Sequence, residues 1–213
     1  MDRNKILINE YTSLKERFGN PEKYWPQWCS KNKSIRDREL IIIGMILTQR
    51  TTWHNANIAL KNLKKAGLLS ISALANLSKI NNLIKLTRPA GFFQSKPKRL
   101  LDVCKFVEQR GGVEVLIKNP TDKLRTELLN IKGIGKETAD TILLYALDKP
   151  CFIIDEYTRR WASSIGIKGI KNYDEFQRFF HEQLKPDFKL YQDLHALIII
   201  SQKNREKAIM EVV

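Results

Sequence analysis

The sequence predicts an all-α protein, and three observations carry that prediction. Apolar residues recur at helical spacing along most of the 213-residue chain. No apolar–polar alternation lasts long enough to build a sheet. Gly and Pro punctuate the periodic stretches, with Thr121 and Asp155 as candidate N-caps.

Taken in order, Arg38 to Leu47 (RELIIIGMIL) is apolar nearly all round, as a central buried helix must be, and ends on the polar Thr48 and Gln49. A helical pattern resumes from Trp53 to Leu63. Shorter helices are expected at Ile71–Ala75 and Ile80–Leu86. A Pro/Gly turn, RPAG, precedes a helix from Pro97 to Arg110, which Gly111 and Gly112 stop. Thr121 opens a helix running to Asn130. IKGIGKETADTILLYAL turns and re-enters a helix, and PCFIID follows as an extended segment. Asp155 caps a helix from Glu156 to Ile165, and two more are expected at Tyr173–Leu184 and Lys189–Ser201. There are no repeats, low-complexity tracts or linkers.

Thirty-seven Lys and Arg against 23 Asp and Glu leave a net charge of +14. Such an excess points to an anionic polymer, with nucleic acid ahead of a membrane surface. No window approaches the roughly 18 apolar residues of a membrane span, and the N-terminus lacks the apolar run of a signal peptide. Three widely spaced cysteines (Cys29, Cys104, Cys151) argue against a disulfide framework, a zinc module or a four-cysteine cluster. The expectation is a cytoplasmic protein without a metal site.

Leu128 to Asp155 is the most informative stretch. Lys132–Gly133–Ile134–Gly135–Lys136 joins two helices through a tight glycine hairpin. The glycines allow backbone conformations closed to other residues. Their amides, with the following helix N-terminus, can point at a phosphate, and Lys132 and Lys136 add charge. An ordinary helix connection with a glycine cap reads the same way in isolation. Twenty residues after Gly135, Asp155 can be a plain N-cap. It can also stabilise an oxocarbenium-like centre or orient a water, as cleavage of a glycosidic bond requires. One carboxylate can do both.

With these residues the pattern resembles the helix–hairpin–helix glycosylases of the endonuclease III superfamily, over about residues 36–203. It is most similar to bacterial endonuclease III-like 3-methyladenine DNA glycosylases, through LTQ, RPAGFFQSKPKRL, KGIGKETAD and the late His-to-Lys segment. The resemblance implies two helical lobes, with residues 36–140 as a central lobe and 1–35 plus 141–213 as a second built from both termini. It implies double-stranded DNA across the cleft between them, base flipping and a monomer. Residue by residue, it makes Asp155 the catalytic aspartate. Gly133, Gly135, Lys132 and Lys136 become the DNA-binding hairpin, and Gln49 the residue that plugs the gap left by the flipped nucleotide. Gln49 as a solvated helix end is the competing reading.

The chain departs from the family pattern twice. Bifunctional members carry a nucleophilic Lys where this sequence has Glu137, and a carboxylate cannot form a Schiff base. Lys136 is adjacent, but one residue on a helix turns a side chain by about 100°. Water is therefore the expected nucleophile, without a lyase step. From Gln202 on, QKNREKAIMEVV lacks the cysteines of the family's iron–sulfur cluster, so no cofactor is expected.

For the substrate, Trp25, Trp28 and Trp53 are candidate stacking faces. A cationic alkylated purine would gain a cation–π contribution of about 0.5–2 kcal/mol, and Glu137 would favour a positive base. The tryptophans as packing residues are an equal alternative. Lys203, eight residues after His195, lies near the base pocket in the resembling subgroup, or caps a solvated helix end. The leading expectation is a monofunctional 3-methyladenine DNA glycosylase. The alternatives are a glycosylase of the same fold for oxidised or mismatched bases, and a non-catalytic hairpin protein that only holds DNA.

Overall fold

The computed structural model describes residues 3–203. Among them thirteen α-helices and no strand build the protein. The first half of the chain supplies α1 (Arg3–Phe18), α2 (Pro26–Cys29), α3 (Ile35–Thr48), α4 (Trp53–Lys65), α5 (Ile71–Ala75), α6 (Ile80–Thr87) and α7 (Ser95–Gln109). Then come α8 (Val113–Lys118), α9 (Thr121–Leu129), α10 (Lys136–Thr141), α11 (Glu156–Ser164), α12 (Tyr173–Gln183) and α13 (Phe188–Gln202). A five-residue π-helical stretch, Ile142–Ala146, continues α10 directly.

Helix α3 is the axle. Ser34 and Asp37 form a reciprocal capping box at its start. Its buried residues run almost without a break, Leu40 to Gly44 followed by Ile46 and Leu47. They pack against α4, α7 and the π-helical stretch. The helix ends with carbonyls that have no partner in their own ladder. The Lys96 ammonium fills that role from α7, donating to the carbonyls of Leu47 and Gln49 at 2.9 Å and of Ala90 at 2.7 Å. Lys96 is fully buried, so one cation ties α3, the Arg88–Ala90 turn and α7 together. Elsewhere α1 packs along α13, α5 along α7 and α4 along α6.

The π-helical stretch is an unanticipated change of pitch, because IKGIGKETADTILLYAL carries no glycine or proline after the hairpin to announce one. Pro97 does not start α7; it sits third in the helix, where a missing N–H costs nothing. Thr121 is not an N-cap. Pro120 holds that position at φ −60°, and Thr121 begins the helix without a capping side-chain bond. Helices α1, α2 and α8 are not expected from the sequence. The α1 sequence buries only Leu7 and Leu14, too sparse an apolar stripe to signal a helix. PCFIID does run extended, with Cys151 to Ile154 buried.

No helix among the described residues is long and apolar enough to cross a membrane. The expectation that no cluster ligands follow Gln202 concerns residues of which 204–213 lie outside the described ones.

A buried polar knot joins the hairpin helices to the extended segment. Asp140, fully buried on α10, accepts from Arg125 Nε at 2.7 Å and Nη2 at 3.1 Å. It also accepts from Gln177 Nε2 at 2.8 Å and from the Cys151 thiol at 3.2 Å. Removing one partner of a buried pair leaves the other's charge uncompensated. Asp140→Ala should therefore lower unfolding free energy by about 3 kcal/mol, Arg125 retaining some solvent contact. A urea midpoint unchanged from the native protein would contradict this.

Candidate active site

The hairpin joins α9 to α10. Gly133 adopts φ +89°, a conformation L side chains rarely adopt, and a Cβ there would overlap the Arg99 guanidinium. Gly135 is different: its backbone is extended (φ −92°, ψ 175°) and a Cβ would meet nothing. Conformational need thus applies to one glycine, while the other simply leaves the amides of the first turn uncovered. Lys132 is exposed. Lys136 is not free, because its ammonium pairs with Asp174 at 2.6 Å, and Asp174 also contacts Arg125 at 3.3 Å. Those two cations hold the Asp174 carboxyl below its ordinary range, Lys136 most strongly.

Gln49 ends α3, but it is not a solvated helix end. Its Nε2 donates to Thr138 Oγ1 at 3.0 Å and to the Gly133 carbonyl at 3.4 Å, and Arg99 donates to its Oε1. The side chain is therefore tied to the hairpin in the free protein. Gln49, Arg50, Phe92, Arg99, Gly133 and Gly135 line an open cavity of about 460 Å³. Arg50 and Phe92 both have positive φ (52° and 47°), and Phe92 is half exposed at the rim.

Met45, Thr48 and Glu137 form a wall shared with a second, smaller cavity of about 170 Å³. Trp25, Trp28, Trp53, Glu137, Asp155, His195 and Lys203 all line it. The two readings of the tryptophans merge here. Trp25 and Trp28 are core residues, 3% and 6% exposed, and one surface of each forms the cavity wall. Trp28 meets Trp53 and Tyr145 edge-on, with ring centroids 5.9 and 5.5 Å away.

Asp155 stands at the foot of this cavity as the N-cap of α11, its Oδ1 accepting from the Thr158 amide at 2.7 Å. Its Oδ2 lies 3.4 Å from His195 Nε2 on α13. Burial works against ionisation of Asp155, but His195 and the Thr158 bonds outweigh it and hold the carboxyl below its ordinary range. Glu137 moves the opposite way. Solvent still reaches it, yet the protein packed about its inner side and the Asp155 charge raise its pKa. Two neighbouring carboxyls are thus driven apart, the arrangement that separates a charged from a protonatable group. Lys203, half-buried, is lowered by burial against the pull of Asp155, and its ammonium lies 5.4 Å over the Tyr157 ring.

Every residue expected at the base pocket therefore meets in one cavity, beside the hairpin. Sequence reasoning missed Arg99, which is one cation among several in KPKRL, and Tyr145, which reads as one more apolar helix position.

This geometry accompanies a family match. Residues 43–186 match the model of the HhH-GPD superfamily of base excision DNA repair proteins. The chain belongs to that superfamily. A Methanocaldococcus jannaschii protein provisionally named a DNA repair glycosylase is 40% identical, covering 99% of this chain and 95% of its own length. Endonuclease III of Sulfolobus acidocaldarius is 28% identical, covering 89% and 82%. Among solved structures, H. pylori 3-methyladenine DNA glycosylase (MagIII) bound to 1,N6-ethenoadenine superposes with a TM-score of 0.76 at 28% identity, covering 95% of this chain and 98% of that one. As a member of the HhH-GPD superfamily this protein is a DNA glycosylase of base excision repair, and DNA is its partner.

The contrast between the two hairpin glycines is testable. Gly133→Ala carries a strained φ and displaces the end of the flexible Arg99 side chain, so it should cost about 1–2 kcal/mol, chiefly from the backbone. Gly135→Ala should stay within about 0.5 kcal/mol of native. Equal losses in thermal or urea denaturation would mean that the hairpin geometry is wrong.

Proposed function

We propose that this DNA glycosylase is monofunctional and acts on alkylated purines, chiefly 3-methyladenine. The observation that carries the reading is the smaller cavity, where three tryptophans and two carboxyls line a space of about 170 Å³. Aromatic faces stack on an extruded base whatever its identity and bind a cationic one more strongly. Glu137, with its raised pKa, is neutral more readily than an ordinary glutamate; a cationic base would draw it back to the ionised form and gain a counter-charge. A positively charged base also leaves without a strong acid to protonate it. Asp155, kept ionised, offsets the charge that develops on the sugar as the glycosidic bond breaks. Likeness to the H. pylori 3-methyladenine glycosylase over nearly the whole of both chains adds support.

Water is the nucleophile in this reading. Glu137 occupies the position of the lyase lysine, and Lys136, the adjacent amine, is committed to Asp174. Duplex DNA approaches at the hairpin amides and Lys132. Gln49 enters the gap left by the flipped nucleotide once its bonds to Thr138 and Gly133 are released. No cofactor takes part, and the enzyme works as a monomer.

Native protein should release 3-methyladenine from methylated duplex DNA, and Asp155→Asn should abolish release while leaving DNA binding intact or stronger. Free bases separated by chromatography measure the first, and a titration of labelled duplex the second. Release by Asp155→Asn at the native rate would refute the mechanism, and release of oxidised or mismatched bases alone would refute the substrate. Borohydride reduction during turnover should trap no covalent protein–DNA species; a trapped complex would reveal a lyase.

Affinity for duplex should also fall steeply with salt, as lysines and arginines displace counterions from phosphates. An affinity that stays flat between about 50 and 200 mM salt would contradict a phosphate-dominated interface.

A further inference from the structure

Asp155 uses its two oxygens differently. Oδ1 closes the first turn of α11 through the Thr158 amide, and Oδ2 turns across to α13 and His195. His195 is 4% exposed, and its Nε2 has no properly angled hydrogen bond, only the Asp155 carboxylate 3.4 Å away. Its other nitrogen, Nδ1, lies 2.8 Å from the Tyr145 hydroxyl, which is also 3.3 Å from the Gln192 carbonyl.

A neutral imidazole has one N–H and one lone pair and can adopt two tautomers, whereas an imidazolium carries a hydrogen on both nitrogens. With the hydrogen on Nδ1, the Nε2 lone pair would face a carboxylate in a buried site, an acceptor against an acceptor. With a hydrogen on Nε2, in the neutral ring or in the imidazolium, a donor lies 3.4 Å from the Oδ2 acceptor, and Tyr145 holds the ring from its Nδ1 side. The second arrangement satisfies the electrostatics. Tyr145 reaches this position from within the π-helical stretch Ile142–Ala146, and insertions of that kind recur at functional sites.

We propose that Tyr145 and His195 form a positioning relay, in which the tyrosine hydroxyl fixes the imidazole through Nδ1 and His195 Nε2–H holds Asp155 Oδ2 oriented for base release. The inference rests on Asp155 being the carboxylate that serves the glycosidic bond. Neither relay residue touches the sugar in this scheme; both act through Asp155. The segment bearing Tyr145 continues α10 directly from the hairpin.

Other charged groups face the same carboxyl. Glu137 on α10 repels it and Lys203 at the end of α13 attracts it, while Arg159, one turn along α11, faces Glu137. Burial is the largest influence on Asp155 and opposes its charge; His195 is the strongest influence in favour of it. Removing His195 must then raise the Asp155 pKa. An aspartate that has to be ionised loses activity as pH falls through its pKa, so the acid limb of the rate profile must move to higher pH.

The test has a substrate-free arm and a kinetic arm, applied to His195→Leu, His195→Gln and Tyr145→Phe. In the free protein, the ¹³C resonance of the Asp155 carboxyl is followed against pH. The midpoint should rise most in His195→Leu, less in His195→Gln, whose amide can still donate, and measurably in Tyr145→Phe. In single-turnover release from methylated duplex, His195→Leu should be slower by about 10²-fold, with duplex affinity unchanged and the acid limb shifted upward. His195→Gln should recover part of the rate. If His195→Leu fails to fold, the other two variants carry the same comparison.

An unchanged Asp155 midpoint, or a native rate and pH profile in the variants, would overturn the relay. A shifted midpoint in a protein that releases no methylated base would uphold the relay and refute the alkylated-purine reading instead.

Discussion

A single buried carboxylate caps a helix with one oxygen and turns the other toward a cavity, and the architecture around it follows from those two demands. An N-cap aspartate normally spends its charge on the exposed amides of its helix. Asp155 spends one oxygen that way. Its other oxygen stays out of the helix because the buried extended segment Cys151 to Ile154 delivers the residue to the wall of a cavity, and α13 brings His195 against it. Burial alone would push such a carboxyl toward neutrality, so the polar partners are what keep the charge there.

The same need, to hold charge inside a largely apolar helical protein, explains the other internal polar groups. Lys96 resolves the carbonyl end of the central helix, and a methyl-terminated side chain of equal length would leave three buried acceptors without a donor. Asp140 anchors the hairpin helix to the extended segment through Arg125, Gln177 and Cys151. Between these two anchors lies the hairpin, with Gln49 and Arg99 bonded across its glycine face. Interfaces secured by directional bonds at both ends hold a fixed register, which a cavity of defined shape requires. An apolar contact alone would tolerate sliding.

Much of the fold was legible because helical periodicity depends only on which residues lie three and four apart. Helix α3 showed itself by its apolar run, Leu40 to Ile43 and Met45 to Leu47, and α5 by its bounds alone. The short α8, the sparsely apolar α1 and the π-helical stretch were not legible. Helix α1 acquires its shape from α13, nearly two hundred residues away in sequence, and no local pattern records that contact. Thr121 failed as a cap because Pro120 already occupied the flanking conformation, a competition between neighbours that cap preferences do not express.

At the site, residue chemistry was readable and pairing was not. The glycine hairpin, the aspartate twenty residues after it, the three tryptophans and the carboxylate in place of a lysine all stand in the sequence, and spacing alone separates them from accident. Only the tertiary structure decided that Lys136 is bound to Asp174, that Gln49 is tied to the hairpin, and that Gly133 needs its glycine while Gly135 does not. It alone brought His195 and Tyr145, forty and ten residues from Asp155, to the same carboxyl. The physical reason is range. Periodicity and capping act over one or two turns and are written locally, whereas a side chain's charge state and hydrogen-bond partner depend on whatever the packed chain places within about 4 Å.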